Sequence, residues 1–164
     1  MRVATTFGAS QMAPGSKEYE EGIRLGALLA KKGFVVKCGG YGGLMEAVSV
    51  GVKRAAGECI GITLEAFEAR RPPNPNLSHK IVAKSLYERL QLLIEGSELF
   101  VAQKGSIGTL NEIFMVAALK YSGQKPDIRI CLLGEEYLAF ECFDENFKRV
   151  VEFYTTFEAF AKTL

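Results

Sequence analysis

The sequence of 164 residues predicts an α/β fold in which one parallel β-sheet lies between two layers of helices. Short apolar runs alternate along the chain with segments whose apolar residues recur at helical spacing. The run at 34–38 is apolar almost throughout, as in a parallel strand that is buried on both faces. No repeat or linker interrupts the alternation, so we expect residues 1–164 to form a single domain.

Two helices are predicted in the first half of the chain, and a glycine follows each of them. Tyr19 and Ile23 lie on the same face of the first helix, and Gly33 and Gly57 serve as C-terminal caps. The predicted elements are a strand at 2–7, a loop at 8–15, a helix at 17–32, a strand at 34–38, a glycine loop at 39–43, a helix at 44–56, a strand at 58–64 and a loop at 67–80. The prolines of Arg70-Arg-Pro-Pro-Asn-Pro-Asn76 exclude regular structure from that last loop.

The second half of the chain is organised around an apolar strand that begins at Glu98 and leads into a helix. Because residues 113–119 are apolar nearly all round, we expect this helix to be buried and not to face the surface. The other predictions are a short strand at 81–83, a helix from the Ser85–Glu88 capping box to about Glu95, a loop at 123–127, a strand at 128–133, a helix at 135–148, a last strand or the end of that helix at 150–154, and a short helix capped by Thr155 and Glu158.

Composition excludes several classes of protein. A net charge of +1, without a run of Lys or Arg, argues against nucleic acid or an acidic membrane as partner. No apolar segment is long enough to span a bilayer and no signal peptide is evident, so we expect a cytoplasmic protein. With one histidine and no Cys-x-x-Cys pair, a transition-metal site is improbable, and we expect buried, reduced cysteines. These residues are His79, Cys38, Cys59, Cys131 and Cys142.

The loop at 103–108 is the first candidate for a ligand site. It follows the apolar strand and opens a helix, whose N-terminal N–H groups and dipole attract an anion such as phosphate. Gly105 and Gly108 allow the backbone to approach a ligand, and Glu112 lies one turn into the helix, within reach of it. Thr109 and Glu112 also have the spacing of a capping box, in which Glu112 would only cap the helix.

The glycine loop at 39–43 is the second candidate. Its place between a strand and a helix suits phosphate or sugar binding, although a tight turn would explain the glycines equally well. It is not G-x-G-x-x-G, which disfavours a dinucleotide-dependent dehydrogenase, and the P-loop motif of NTPases is absent. The loops at 8–15, 39–43 and 103–108 all fall at the carboxyl edge of the predicted sheet, where ligands bind in such folds.

Two segments of the chain resemble motifs of the LOG family, the "lonely guy" cytokinin-activating proteins. They are Gly39-Gly-Tyr-Gly-Gly-Leu-Met-Glu-Ala-Val48 and Lys104-Gly-Ser-Ile-Gly-Thr-Leu-Asn-Glu112, and the resemblance covers about residues 3–133. It implies a Rossmann-like fold, a homodimer, and hydrolysis of a nucleoside 5′-monophosphate to free base and ribose 5-phosphate, without a metal or organic cofactor. The lysine decarboxylase name often given to this family has no support, since no lysine is marked out to hold pyridoxal phosphate.

The resemblance assigns roles residue by residue. Gly105, Gly108, Thr109 and Glu112 match the family hallmark P-G-G-x-G-T-x-x-E, and Arg89 matches the arginine of its M-H-x-R-K-x-x-M motif. Glu112 would stabilise a ribosyl cation or activate water, as carboxylates do in glycoside hydrolysis. Arg89 would orient the substrate or Glu112.

Four positions depart from the family motifs: Lys104 replaces the proline, Ser106 the second glycine, Tyr87 the histidine and Leu90 the lysine. Lys104 and Ser106 can still bind phosphate, as a cation and as a hydroxyl donor. The predicted substrate-binding residues are Gly8, Ser10, Gly39, Gly40, Gly42, Gly43, Lys104, Gly105, Ser106, Gly108 and Thr109.

Three functions follow from the sequence. The first is an N-glycosidic hydrolase acting on a nucleoside 5′-monophosphate, which the family resemblance implies is a cytokinin riboside 5′-monophosphate or an AMP-like nucleotide. The second is a nucleotide-binding or sensing module of the same fold without catalysis. An oligomeric scaffold is disfavoured, because three glycine loops converge on one sheet edge. The family and the apolar helix surface predict a homodimer, built on Leu86, Leu90, Leu93, Ile94 and the helix at 113–119.

Overall fold

The computed structural model describes all 164 residues. Its strands are β1 (Arg2–Phe7), β2 (Phe34–Cys38), β3 (Cys59–Leu64), β4 (His79–Ala83), β5 (Leu99–Ala102), β6 (Arg129–Leu133) and β7 (Glu152–Tyr154). Its helices are α1 (Lys17–Lys31), α2 (Leu44–Arg54), α3 (Glu65–Glu68), α4 (Leu86–Ile94), α5 (Ile107–Tyr121), α6 (Glu145–Val150) and α7 (Phe157–Ala161), with a single 3-10 turn at Glu135–Tyr137.

All seven strands join one sheet in the order β4-β3-β2-β1-β5-β6-β7. Every neighbouring pair is parallel, as the strand–helix alternation predicted. The chain adds strands outward from β1 to β4, returns to the other side of β1 and then adds β5 to β7. The direction of winding therefore changes between β1 and β5, and a crevice opens there at the carboxyl edge of the sheet.

Each face of the sheet carries its own apolar core. Leu25 of α1 and Val48 of α2 pack with Val101 of β5 on one face, which α7 also covers. Phe100 of β5 points to the opposite face and packs with Ile113 of α5, beside α4 and α6. Neighbouring residues of β5 thus serve opposite cores, which explains why the run is apolar without alternation.

Several predicted boundaries were wrong. The helix expected at 135–148 is only the 3-10 turn and α6, which begins where the Asp144 side chain accepts the N–H of Phe147 at 2.9 Å. Phe143 lies between these two segments and stacks on Phe147, with ring centroids 4.0 Å apart. The chain leaves the helical path here, and the Phe143 side chain is buried in the core. Of the alternatives left open at 150–154, each holds in part, since Val150 ends α6 and Glu152–Tyr154 form β7. The loop predicted at 67–80 begins inside α3, and Thr156, not Thr155, caps α7.

Helix α5 is not buried all round, contrary to the prediction. Ile113 and Val116 are buried, but Phe114 is 39% exposed and Met115 is 40% exposed. Met115 and Leu119 form one wall of a groove of about 360 Å³, whose opposite wall on α4 includes Tyr87 and Leu90. Leu93, which was predicted to contribute to an interface, is instead fully inside the core.

None of the helices combines the length and the apolar composition that crossing a membrane requires.

The homodimer stays a prediction, and the α4–α5 groove is the surface on which we expect it to form. Light scattering at micromolar protein should then give twice the 18.0 kDa chain mass. Met115→Lys should shift the mass toward the monomer, because it places a charge in an apolar contact. Tyr121→Lys, at an exposed position outside the groove, is the control and should stay dimeric. A monomeric parent protein would contradict the prediction.

Helices α1 and α2 cross so closely that glycine is required at the contact. A Cβ added at Gly51 would overlap the carbonyl oxygen of Ile23, and one at Gly26 would overlap that of Val48. Neither obstacle can rotate away, because both are backbone atoms.

Gly51→Ala should therefore destabilise the protein by about 2 kcal/mol, as overpacked sites do. In an ordinary helix the same change stabilises by about 1 kcal/mol, so even the sign is informative. Denaturant unfolding measures the difference. Gly108→Ala is the control, since a Cβ there meets nothing within 4 Å. Equal effects of the two substitutions would show that the α1–α2 contact is looser than described.

Candidate active site

A cavity of about 380 Å³ lies at the carboxyl edge of the sheet, where the winding changes direction. The end of β1, the glycine loop after β2, helix α4 and the first turns of α5 form its walls. It is lined by Thr6, Phe7, Gly8, Ala9, Ser10, Gly39, Tyr41, Met45, Phe67, Arg71, Leu86, Arg89, Ser106, Ile107, Gly108, Thr109 and Glu112.

The N-terminus of α5 opens into this cavity. Ser106 is the N-cap residue, yet its side chain makes no capping hydrogen bond. The first intrahelical bond runs from the N–H of Leu110 to the Ser106 carbonyl oxygen at 2.9 Å. The N–H groups of Ile107, Gly108 and Thr109 precede it and have no acceptor within the helix. Donors and helix dipole together make this end suitable for an anion.

The helix begins three residues before the position that a capping box at Thr109 and Glu112 requires, since its N-cap is Ser106 and not Thr109. The interpretation of Glu112 as a mere cap was therefore wrong, since Glu112 lies in the second turn. Its carboxylate lies beyond the reach of the N-cap backbone that a capping partner bonds.

Arg89 is fixed by the backbone around it. From α4, its Nε donates to the Ile62 carbonyl oxygen at 2.8 Å and its Nη2 to that of Gly39 at 3.0 Å. The end of α4 is itself anchored, because the Lys37 ammonium donates to two of its carbonyl oxygens at 2.9 and 2.6 Å. A Cβ added at Gly39 would overlap Nη2 of Arg89 and the sulfur of Met45, so this contact requires glycine.

Glu112 faces the third nitrogen of Arg89. Its Oε1 lies 4.0 Å from Arg89 Nη1, and both side chains are only 14% exposed. Burial raises the pKa of Glu112 from its ordinary value of 4.5 to about 7, while the positive charge of Arg89 acts in the opposite direction. Near neutral pH the carboxyl group can therefore both hold and release a proton.

The cavity contains most of the predicted site residues, but not all of them. Those that line it are Gly8, Ser10, Gly39, Arg89, Ser106, Gly108, Thr109 and Glu112. Gly40, Gly43 and Gly105 do not line it, and Gly42 lines an adjoining cavity. Lys104 was expected near phosphate, but its side chain is exposed and lines a separate polar cleft with Glu135 and Glu136. Lys104 lies two residues beyond the end of β5, and its neighbour Gln103 lines the same separate cleft.

Sequence reasoning missed Arg71, Phe67, Tyr41 and Met45. Phe67 packs edge-on against Tyr41, with ring centroids 6.1 Å apart, and the guanidinium carbon of Arg71 lies 5.2 Å from the Phe67 ring centroid. The two consecutive arginines at 70 and 71, after the third strand, could have indicated a binding residue. They were interpreted from the sequence only as part of a loop.

The family model described as the SLOG cluster4 family matches residues 2–150. The chain belongs to this family. The resemblance to LOG proteins is thereby confirmed, and proteins of related sequence also support it. A cytokinin riboside 5′-monophosphate phosphoribohydrolase of Mycobacterium tuberculosis strain H37Rv is 28% identical over 96 residues, which are 58% of this chain and 51% of the relative. The chain spans about half the length of the curated relatives named in this way.

Solved structures match the SLOG chain over nearly its whole length. The molybdenum cofactor binding protein of Rippkaea orientalis has a TM-score of 0.79 at 26% identity, covering 99% of this chain and 94% of that one. A molybdenum cofactor carrier protein of Chlamydomonas reinhardtii has a TM-score of 0.76 at 20% identity, with coverage of 99% and 94%, and shows the fold alone. The structural matches are thus to proteins named for cofactor binding, whereas the relatives named for hydrolysis match in sequence.

The raised pKa of Glu112 makes a prediction about stability. The unfolded chain releases this proton near pH 4.5 and the folded chain near pH 7, so this residue lowers stability progressively as pH rises between these values. Glu112→Gln removes the ionisation and should make the protein more stable than the parent at pH 8, by about 3 kcal/mol. At pH 5 the two should unfold at similar denaturant concentrations.

Glu141→Gln, which alters an exposed carboxylate in a turn, is the control and should show no such dependence on pH. If the difference between Glu112→Gln and the parent is the same at pH 5 and pH 8, Glu112 is not buried as described.

Proposed function

We propose that this SLOG protein hydrolyses the N-glycosidic bond of a nucleoside 5′-monophosphate, giving the free base and ribose 5-phosphate. The observation that carries the proposal is a buried carboxylate, Glu112, which shares one cavity with the unpaired N–H groups at the start of α5. One feature suits the phosphate and the other suits the positive charge that develops at C1′.

The phosphate would accept hydrogen bonds from the N–H groups of Gly108 and Thr109 and from the hydroxyl of Ser106. Glu112 lies about one helical turn further on, ~5 Å along the axis. The distance from the 5′-phosphorus to C1′ of a ribose is comparable. A nucleotide anchored by its phosphate therefore brings its glycosidic bond close to Glu112.

The reaction would pass through a ribosyl cation with oxocarbenium character. As the C1′–N bond breaks, its electron pair leaves with the base, and the ionised Glu112 stabilises the positive charge on the ribose. A water molecule then bonds to C1′ and gives its proton to Glu112. That proton passes on to the nitrogen of the departed base, so that the free base forms and Glu112 is ionised again. The pKa of about 7 suits this exchange, because a general base works best when its pKa lies near the working pH. Arg89, whose Nη1 lies 4.0 Å from Glu112 Oε1, would orient the carboxylate.

A second function is binding without catalysis. It is favoured because whole-length structural matches include a molybdenum cofactor binding protein, whereas the phosphoribohydrolases match over about half their length. Departures from the LOG motifs at Tyr87, Leu90, Lys104 and Ser106 support it too. The same cavity would then hold a phosphorylated pterin or nucleotide, with α5 again receiving the phosphate.

Base release from a panel of nucleoside 5′-monophosphates tests the first function. Glu112→Gln should still bind the nucleotide but release base at least about a hundredfold more slowly, because it can neither carry the charge nor accept the proton. The parent's rate should rise as pH increases through about 7, where Glu112 ionises. Arg89→Ala should also lower the rate, and Glu141→Gln should leave it unchanged.

Two results would count against hydrolysis. If Glu112→Gln releases base as fast as the parent, the proposed mechanism is wrong. If the parent binds nucleoside monophosphates or a phosphorylated pterin but releases no base from any nucleotide, the second function is correct.

A further inference from the structure

Arg71 is the one basic side chain on the cavity wall whose donors are not already engaged. The wall contains two basic residues, Arg71 and Arg89. Arg89 directs its nitrogens to two backbone carbonyls and to Glu112. Arg71 forms no ion pair, and its side chain donates no hydrogen bond within the protein. A ligand in the cavity therefore meets a guanidinium with all its donors available.

The guanidinium of Arg71 is held over the cavity although it is exposed. It lies over the Phe67 ring, and the Arg71 backbone N–H donates to the Phe67 carbonyl oxygen at 2.8 Å. The loop beyond it is fastened by the buried Asn74, whose Nδ2 donates to the Tyr41 carbonyl oxygen and whose backbone N–H donates to that of Gly40, both at 3.1 Å. The hydrogen bonds from Asn74 to the glycine loop at 39–43 therefore position the segment that carries Arg71.

Arg71 also marks the end of the cavity beyond the start of α5. A second cavity of about 340 Å³ adjoins the first and shares Ser10, Tyr41 and Arg71 with it, whereas Gly108 and Thr109 line only the first. If the phosphate lies at α5, which this inference takes from the proposed function, the other end of the ligand reaches Arg71. Tyr41 and Phe67 provide an aromatic wall there for a planar ring.

A guanidinium has five N–H donors in a rigid fork and no acceptor. It therefore pairs best with two acceptors placed side by side, such as O6 and N7 of guanine. Adenine places an amino donor beside N7, and this edge suits an amide side chain instead. A pterin carries the same pair of acceptors as guanine, in its 4-oxo group and N5.

We propose that Arg71 determines specificity by binding a ring oxo group and the adjacent ring nitrogen. The site then selects 6-oxopurine nucleotides, or a phosphorylated pterin, over adenine nucleotides.

Calorimetric titration of the full chain with GMP, IMP and AMP tests this selection without requiring turnover. GMP and IMP should bind about 10- to 100-fold more tightly than AMP, which is the discrimination that one bidentate arginine provides. IMP isolates the O6/N7 edge, because it lacks the 2-amino group of guanine. Arg71→Ala should abolish the preference, and Arg71→Lys should not restore it, since lysine keeps the charge but loses the fork. Arg149→Ala, which removes an exposed guanidinium on α6 that lines neither cavity, should keep the preference.

Titration with neopterin monophosphate distinguishes a pterin from a 6-oxopurine, since both rings carry an oxo group beside a ring nitrogen. Tighter binding of neopterin monophosphate than of GMP, lost in Arg71→Ala, would identify the pterin as the ligand, and the reverse order would identify the purine. Equal affinity for AMP and GMP in the parent, or a preference that survives Arg71→Ala, would overturn the proposal. Absence of base release with the preference intact would overturn only the hydrolytic function, so the two failures are distinguishable.

Discussion

The contact between the buried carboxylate of Glu112 and the guanidinium of Arg89 is the interaction on which the site depends. A carboxyl group with so little exposure ionises reluctantly, and Arg89 is the charge that opposes this effect. Arg89 can do so only because Ile62 and Gly39 fix two of its nitrogens. A single pair of side chains thus connects α4 and α5 with the ends of β2 and β3.

The sheet topology explains why this pair faces a ligand cavity and not the core. Winding reverses between β1 and β5, so the loops after these strands separate and leave a crevice. The backbone N–H of Ala9, after β1, still donates to the Lys104 carbonyl oxygen at 2.9 Å, which limits how far the crevice opens. Helix α5 starts at this point, so its unpaired donors and Glu112 enter the same space.

Local patterns predicted what depends on local sequence. The alternation of strands and helices predicted the parallel sheet. The glycine loops predicted which edge of the sheet carries the cavity that Gly39, Gly108 and Glu112 line. The start of α5 was misjudged because Thr109 and Glu112 have the spacing of a capping box, whereas the helix is already capped at Ser106, three residues earlier. Arg71 was missed because its position depends on Asn74 binding a loop more than thirty residues away, and no short-range pattern records such a contact.

The central claim is that one cavity places a phosphate at α5 and a glycosidic bond at Glu112. A crystal structure of Glu112→Gln with an intact nucleoside 5′-monophosphate tests it most directly. The account predicts the phosphate within hydrogen-bond distance of the Gly108 and Thr109 N–H groups, and C1′ next to the side chain at position 112. A phosphate bound elsewhere, such as beside Lys104, or a ribose turned away from position 112, would contradict it.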